Sequence, residues 1–209
     1  MNQELELKYS VGDADALLAW LDDHLPPARG ATGWQDAMVI DRYFDTAGRA
    51  LAAAGYGARL RERSGMTIVC LKSDIGVSDG IHYRHELEAP ATPALVPDDW
   101  PPSDVRELVR RVAGTQPLIE RFVLDQLRRE REHALGDCRF LISMDHVNVV
   151  HRGRRLGELH QLEVELLDGN PSVLAALGRR IAASGLVRPE LRSKLATAKA
   201  LAAAADTPR

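Results

Sequence analysis

The chain has 209 residues, of which 45% are hydrophobic and 27% are charged, and its formal net charge at pH 7 is -3. These values are ordinary for a folded globular protein and exclude extensive disorder. Because there is no overall excess of positive charge, we expect no bulk attraction to nucleic acid or to an anionic membrane. Any anion site must therefore concentrate its cations locally.

Two features of the sequence bear on location. The N-terminal decapeptide MNQELELKYS lacks the basic start and apolar run of a signal peptide, and no apolar stretch approaches the roughly 18 residues that span a bilayer. Cys70 and Cys138 show neither a CxxC pair nor the spacing of a zinc site, and we expect both to fill apolar space. We therefore predict a cytoplasmic protein with no membrane partner.

The chain begins with a predicted strand and helix. Residues 3–9 alternate charged and apolar side chains with a period of two, which is typical of a strand with two different faces. Asp13 is suited to cap a helix over residues 14–24, and the following Pro-Pro pair ends that helix. A second strand is predicted over residues 35–45.

The rest of the chain alternates strands with turns and a few helices. Ser64-Gly65 is a turn dipeptide between two β-rich runs, which predicts a hairpin. Residues 90–104 carry five prolines, and we interpret them as an insertion because charged alternating strands resume after them. The further strands are predicted over residues 57–63, 66–73, 81–90, 119–134, 139–150 and 156–167. The further helices are predicted over residues 103–113, from Asn170-Pro171 onward, and over residues 189–205.

Eight predicted strands, nearly all joined to the next by a short turn, favour an antiparallel sheet that closes on itself. We therefore predict an α+β fold, mainly β, in which residues 1–209 form one domain. Its architecture is an eight-stranded antiparallel β-barrel with helices packed outside and a C-terminal helix. That last helix is a candidate plug for one end of the barrel.

Charged residues recur on one face of the predicted strands. Arg59, Arg61 and Arg63, for example, share a face opposite Leu60. A single strand of this kind usually turns its charges to water. Here, however, the helices carry apolar stripes that must be covered, and the aliphatic strand faces can supply that surface. We therefore expect the charges to point into the barrel, where they must pair with one another or bind a charged ligand.

The expected lumen combines both signs of charge. Arginine and lysine suit phosphate oxygens, whereas carboxylates are the hard ligands that Mg²⁺ or Mn²⁺ prefers, so the combination favours a metal–polyphosphate complex. The cations expected to face inward are Lys8, Arg59, Arg61, Lys72, Arg84, Arg129, Arg131 and Lys194. The acids expected to face inward are Glu4, Glu6, Glu86, Glu88, Asp145, Glu163 and Glu165.

These residues resemble the motifs of a known family. The segment Glu4-Leu5-Glu6-Leu7-Lys8 is similar to the E-x-E-x-K signature of the triphosphate tunnel metalloenzymes, also called the CYTH family. The matches continue, in chain order, with Tyr43-Phe44-Asp45-Thr46, Arg59-x-Arg61, Lys72, Arg84-x-Glu86-x-Glu88, Arg129-x-Arg131, Asp145, Glu163-x-Glu165 and Ser193-Lys194. E-x-E-x-K alone is a weak pattern, but the ordered set over residues 4–194 is strong. It resembles most the N-terminal domain of bacterial inorganic triphosphatases.

The resemblance implies a role for each residue. Lys8 would tune the attacking water or the leaving phosphate, and Tyr43 would assist, with packing inside the barrel as an equal alternative for Tyr43. The residues implied to hold the triphosphate are Arg59, Arg61, Lys72, Arg84, Arg129, Arg131 and Lys194. The residues implied to lie nearest a divalent metal are Glu4, Glu6, Glu163 and Glu165, with Glu86, Glu88 and Asp145 as further metal ligands or as residues that position water.

Three functions remain open from the sequence. The first is hydrolysis of inorganic tripolyphosphate with Mg²⁺ or Mn²⁺. The second, in the same fold, is that of a class IV adenylate cyclase or a thiamine triphosphatase. The third is a non-catalytic module that binds polyphosphate or nucleotide, which the carboxylates disfavour because binding alone needs mainly cations. The expected partner is a small-molecule polyphosphate or nucleoside triphosphate, and a homodimer is a further candidate.

Overall fold

A computed structural model describes residues 2–27, 32–78 and 80–206. Within those ranges, no helix is both long enough and apolar enough to cross a membrane. The strands are β1 (Asn2–Val11), β2 (Gln35–Thr46), β3 (Gly57–Arg63), β4 (Met66–Ser78), β5 (Ile81–Pro90), β6 (Leu118–Leu135), β7 (Cys138–His151), β8 (Arg154–Asp168) and β9 (Val187–Pro189). The helices are α1 (Ala14–His24), α2 (Ala50–Ala53), α3 (Asp104–Ala113), α4 (Pro171–Ala182) and α5 (Lys194–Asp206), with a 3₁₀ turn at Pro97–Asp99.

Eight strands close into an antiparallel barrel. Around the barrel the order is β1, β5, β4, β3, β2, β6, β7 and β8, and β8 returns to β1. The prediction of an eight-stranded barrel is confirmed. The additional strand β9 pairs with the end of β1, where Tyr9 lies opposite Pro189. The sequence did not predict β9 because three residues are too few to show an alternating pattern.

Local sequence signals account for several turns and caps. The Asp13 side chain accepts a hydrogen bond from the Ala16 backbone N–H at 2.9 Å, which caps α1 as predicted. Gly65, in the turn between β3 and β4, has a φ of 77°, which favours glycine. The last helix begins at Lys194, later than predicted, because Pro189 belongs to β9.

Two apolar cores lie outside the barrel, between its strands and the helices. One joins α1 and α4 to the outer faces of β1, β7 and β8, and it includes the fully buried Leu17 and Phe140. The other joins α2 and α3 to β3 and β4, and it includes Leu60 and Trp100. Burying one such side chain contributes about 1.5–3 kcal/mol. Since the aliphatic strand faces pack under helices, the charged faces lie inside.

The C-terminal helix α5 lies against an apolar end of the lumen. Close approach is possible because Gly57 of β3 has no side chain: a Cβ there would lie 2.4 Å from Leu195 Cδ2 of α5. The residues that pack together at this end are Tyr43, Phe122, Leu124, Val147, Val149 and Ala198. A C-terminal helix that plugs one end of the barrel must pack against that end, as α5 does here.

Candidate active site

A cavity of about 440 Å³ occupies the charged part of the lumen. That volume falls within the roughly 300–1,000 Å³ typical of small-molecule sites. The cations that line it are Lys8, Arg59, Arg61, Arg63, Lys72, Arg84, Arg128, Lys194 and Lys199. The carboxylates that line it are Glu4, Glu6, Glu86, Glu88, Glu130, Glu163 and Glu165. The structure thus gathers opposite charges around one cavity.

Strands β1 and β8 place their acids side by side. Because side chains alternate along a strand, the charged residues of each strand share the inner face. The antiparallel register then sets Glu6 opposite Glu165 and Lys8 opposite Glu163. Carboxylates from the two ends of the sequence therefore meet on one wall of the cavity.

Glu165 is a carboxylate whose charge the cavity disfavours. Burial, together with the charge of Glu4, raises the pKa of Glu165 to about 7, and Glu6 and Glu86 act in the same direction. Near neutral pH this group therefore exchanges its proton readily, and a nearby cation would favour its charged form.

Lys72 and Arg84 are held by carboxylates on β1 and β5, which neighbour each other in the barrel wall. Lys72 Nζ donates to Glu4 Oε2 at 2.8 Å and lies 3.2 Å from Glu86 Oε1. Arg84 Nη1 donates to Glu6 Oε1 at 2.7 Å. Burial opposes the charge of Lys72, but the surrounding carboxylates outweigh it and raise the pKa of this lysine. Lys72 therefore stays cationic, as phosphate binding requires.

Asp41 on β2 fixes two arginines. Arg61 Nε and Nη2 donate to its two oxygens at 2.7 and 2.9 Å, and Arg59 Nη1 donates to Oδ2 at 3.3 Å. Burial opposes the charge of Asp41, but both guanidinium groups outweigh it and hold the pKa of this carboxyl well below its usual range. Asp41 was not predicted from the sequence, because neither residue two positions away, Val39 or Tyr43, is charged.

Tyr43 has one polar and one apolar contact. Its hydroxyl accepts a hydrogen bond from Arg59 Nη1 at 3.5 Å. Its ring stacks on Phe122, with 4.9 Å between the ring centroids. Packing and orientation of Arg59 are therefore both present, and burial raises the pKa of Tyr43, so its hydroxyl remains protonated.

Cys70, Glu86 and Glu88 share one wall of the barrel interior. Their ligand atoms all lie within 4.8 Å of one another, and Cys70 Sγ donates to Glu86 Oε1 at 2.8 Å. Burial works against the charge of Glu86, but Lys72 and Arg59 lower the pKa of Glu86 to about 2. Burial also raises the pKa of the Cys70 thiol to about 12. Cys70 thus has a polar partner, where apolar packing alone was expected.

Three cationic side chains contact Glu163. Lys194 Nζ and Arg128 Nη2 each lie 2.9 Å from Glu163 Oε2, and Lys8 Nζ lies 3.5 Å from Oε1. Burial opposes the charge of Glu163, but Lys194, Lys8 and Arg128 outweigh it and hold the pKa of this carboxyl well below its usual range. Glu163 therefore remains charged.

Asp145 lies behind the cavity wall instead of lining it. Arg128 donates to both of its oxygens at 2.7 Å, and Lys194 Nζ donates to Oδ2 at 2.6 Å. The Asp145 side chain has 0% exposed surface. Its predicted place beside a metal or a water is corrected, because this side chain does not reach the cavity that the other carboxylates line. Asp145 positions Arg128 and Lys194.

The prediction that Arg129 and Arg131 face the lumen is wrong. Arg129 Nε pairs with Asp36 at 2.7 Å on the outer surface. Arg131 lies under α1, where its Nη2 donates to the Leu21 carbonyl at 2.8 Å and its guanidinium lies 4.1 Å from the centroid of the Trp34 ring. The side chains of Arg129 and Arg131 therefore lie on the outer face of the barrel. Alternation along β6 places the even-numbered residues inward instead.

Four further charged residues, which were not predicted to face the lumen, line the cavity. Arg128 and Glu130 are charged inward residues of β6, and Arg63, which shares the face of Arg59, pairs with Glu130. The fourth residue, Lys199, lies on α5. The sequence run Arg128-Arg129-Glu130-Arg131 offers charges in both registers, so composition cannot tell which set faces inward. The inward contacts of β6 fix the register: Gln126 donates to Asp41 at 2.8 Å, and Arg128 donates to Asp145 at 2.7 Å.

The carboxylates of the cavity fit a divalent metal. Glu4, Glu6 and Glu165 offer hard oxygen donors, and their crowding contributes to the raised pKa of Glu165. A bound dication would offset that repulsion. The donor set contains the oxygen ligands that Mg²⁺ and Mn²⁺ prefer.

Comparison with known proteins identifies the family of this fold. The sequence profile of the CYTH domain matches residues 2–197. HpAC1 from Hippeastrum, a proposed adenylyl cyclase with a dominant triphosphatase activity, has a TM-score of 0.70 at 19% identity, over 94% of this chain and 95% of that one. A proposed adenylate cyclase from Bacillus halodurans has a TM-score of 0.60 at 17% identity, over 93% and 97%. At these identities the structural likeness shows a shared fold.

Proposed function

The chain belongs to the CYTH domain family, and from that premise we propose that it hydrolyses a triphosphate inside its barrel, with inorganic tripolyphosphate as substrate. The observation that carries this proposal is the cavity of about 440 Å³, which nine cations and seven carboxylates line. The excess of cations suits a polyanion, and the carboxylates suit the metal that accompanies it.

Cations from several strands and α5 hold the phosphates. Arginine forks bind phosphate oxygens in pairs, and lysines add point charges. Arg128 takes the place predicted for Arg129 and Arg131. The full set is Arg59, Arg61, Lys72, Arg84, Arg128 and Lys194, each lining the cavity.

The carboxylates hold the cofactor. Glu4, Glu6, Glu163 and Glu165 are the proposed ligands of Mg²⁺ or Mn²⁺, with Glu86 and Glu88 as further ligands or as residues that position water. When bound, the metal supplies neutralising charge to the phosphate oxygens.

The proposed reaction is in-line attack of water on a terminal phosphoryl group. The cations stabilise the charge that develops on the phosphate oxygens, from positions already fixed by Asp41, Asp145 and Glu163. Lys8, 3.0 Å from Glu6 and 3.5 Å from Glu163, is placed to tune the attacking water or the leaving phosphate. Tyr43 assists by orienting Arg59.

A substrate panel tests the proposal. Phosphate release is measured from tripolyphosphate, ATP and thiamine triphosphate, each with Mg²⁺ or Mn²⁺ and with EDTA as the metal-free control. We expect the highest kcat/KM for tripolyphosphate and no turnover with EDTA. Cyclic nucleotide and pyrophosphate from ATP would identify a cyclase instead, and binding without turnover of any compound would identify a binding module.

Three further expectations accompany the proposal. A single CYTH domain over residues 1–209, a cytoplasmic location and a homodimeric state all stay predictions. Cell fractionation tests the location, and mass measurement in solution tests the dimer. The proposed partner is a small-molecule triphosphate, which the substrate panel tests.

A further inference from the structure

A histidine pair and a glutamate lie together on the outer face of the barrel, away from the cavity. His146 of β7 is the direct cross-strand partner of His160 of β8, and the two rings stack with 4.5 Å between centroids. Glu158 is two residues from His160, so it shares the outer face, and its Oε2 lies 3.4 Å from His146 Nε2. The ligand atoms of all three residues lie within 4.8 Å of one another.

We propose that His146, His160 and Glu158 form a surface site for a transition-metal dication, with Zn²⁺ as the representative ion. Imidazole nitrogens suit zinc, copper and nickel, and one carboxylate with two imidazoles is an established donor set for such ions. Mg²⁺, which prefers oxygen ligands, is not expected to compete. The site is therefore chemically distinct from the carboxylate cluster inside the barrel.

The geometry needs a small rearrangement to close on an ion. Ligand atoms around a tetrahedral zinc lie roughly 3.4 Å apart, given bonds of about 2.1 Å. The stacked rings, 12° from parallel, must therefore turn so that their nitrogens converge. The side chains of His146 and Glu158 are 44% and 49% exposed, so space for this rotation exists.

One ion pair must break before Glu158 can bind a metal. Arg155 pairs with Glu158, but the Arg155 side chain is 55% exposed and can swing into water. Exposed ion pairs contribute only about 0–1 kcal/mol, so their loss opposes metal binding weakly. The backbone ladder between β7 and β8 fixes the two histidines opposite each other, which reduces the freedom lost on chelation.

Titration with Zn²⁺ in excess Mg²⁺ tests the site, because excess Mg²⁺ competes with Zn²⁺ for the proposed oxygen ligands of the cavity and much less for imidazole nitrogens. The variants are the double substitution His146→Asn with His160→Asn, the single substitution Glu158→Gln, and His151→Asn as a control on the same strand outside the cluster. We expect the double variant to bind Zn²⁺ at least roughly tenfold more weakly. Removing even a supporting group of a metal site lowers metal affinity by about that factor. Glu158→Gln should weaken binding less, and the control should match the wild type.

Spectra of the Cu²⁺-loaded protein identify the ligands directly. Electron paramagnetic resonance should show coupling to two imidazole nitrogens in the wild type and in His151→Asn, and not in the double variant. Phosphate release from tripolyphosphate should be unchanged in the double variant, which also shows that it folds. Equal Zn²⁺ affinity in the wild type and the double variant, or copper spectra without imidazole coupling, would overturn the proposal.

Discussion

Lys194, the first residue of α5, donates to Asp145 of β7 at 2.6 Å and lies 2.9 Å from Glu163 of β8. The C-terminal helix is thereby joined by charge to the strands that form the cavity. All three side chains are at most 13% exposed. Removing one partner of such a buried pair is costly because the remaining charge loses its compensation.

The first prediction concerns this contact. Lys194→Met should lower both the kcat/KM for tripolyphosphate and the free energy of unfolding, the latter by up to about 3–5 kcal/mol. Lys199→Met is the matched control, since Lys199 lies on the same helix and lines the cavity but is exposed. Its unfolding free energy should change by less than about 0.5 kcal/mol. Equal stability of the two variants in urea titrations would refute the contact.

The second prediction concerns substrate binding. Lys72→Ala should raise the KM for tripolyphosphate by roughly 10- to 100-fold, because a charged hydrogen bond is worth about 1.5–3 kcal/mol. Initial rates over a range of substrate concentrations measure the effect. Arg139→Ala, which removes an exposed ion pair with Glu132, serves as the control. A KM unchanged by Lys72→Ala would remove this lysine from the site.

The third prediction concerns pH. Burial and the charge of Glu4 raise the folded-state pKa of Glu165 from 4.5 to about 7, so the folded state binds this proton more tightly than the unfolded state. The metal-free protein should therefore lose stability as pH rises from about 4.5 to about 7, and this loss should level off above that window. Glu165→Gln should flatten the dependence.

Thermal unfolding of the metal-free protein across this window measures that effect. Added Mg²⁺ or Mn²⁺ should stabilise the wild type more than Glu165→Gln, because the substitution removes a proposed metal ligand. Identical pH profiles for the two proteins would contradict the crowding of carboxylates around Glu165.

The fourth prediction separates the two contacts of Tyr43. Tyr43→Phe keeps the stacking on Phe122 but removes the hydrogen bond that Arg59 donates to the hydroxyl. At 3.5 Å this bond is long and therefore weak although its donor is charged, so kcat/KM should fall by only roughly 2- to 10-fold. Its unfolding free energy should stay close to that of the wild type. Tyr43→Ala should lose about 3–5 kcal/mol of stability through the cavity that it leaves. A loss of activity in Tyr43→Phe well beyond this range would indicate a direct catalytic role.

Sequence periodicity was sufficient to predict the barrel and much of its inner face. Along residues 4–9 of β1 and residues 163–166 of β8, each charged residue is followed by an apolar one, so a single register is consistent with helices packed outside. On β6 the run Arg128-Arg129-Glu130-Arg131 is charged in both registers. There the choice depends on tertiary contacts, namely Arg128 with Asp145 inside and Arg131 with Trp34 outside.

An inward charged residue that stands alone on its strand could not be predicted from the sequence either. Asp41 contacts Arg59 and Arg61 and has no charged neighbour two positions away on its own strand. A pattern of paired charges does not identify such a residue, because its partners come from another strand. Register between strands, and not periodicity along one strand, determines these contacts.

We propose that charges facing the cavity, and not charge on the strands as such, perform the chemistry. Adjacent Arg128 and Arg129 provide the test, because one contacts Glu163 inside and the other pairs with Asp36 outside. The measurement is kcat/KM for tripolyphosphate with saturating Mg²⁺ or Mn²⁺ in Arg128→Met and Arg129→Met. We predict a loss of about 100-fold or more for Arg128→Met, comparable to the loss of one transition-state donor, and no loss for Arg129→Met. Equal activity in the two variants, or a greater loss for Arg129→Met, would show that the inward arginine is not required for the reaction.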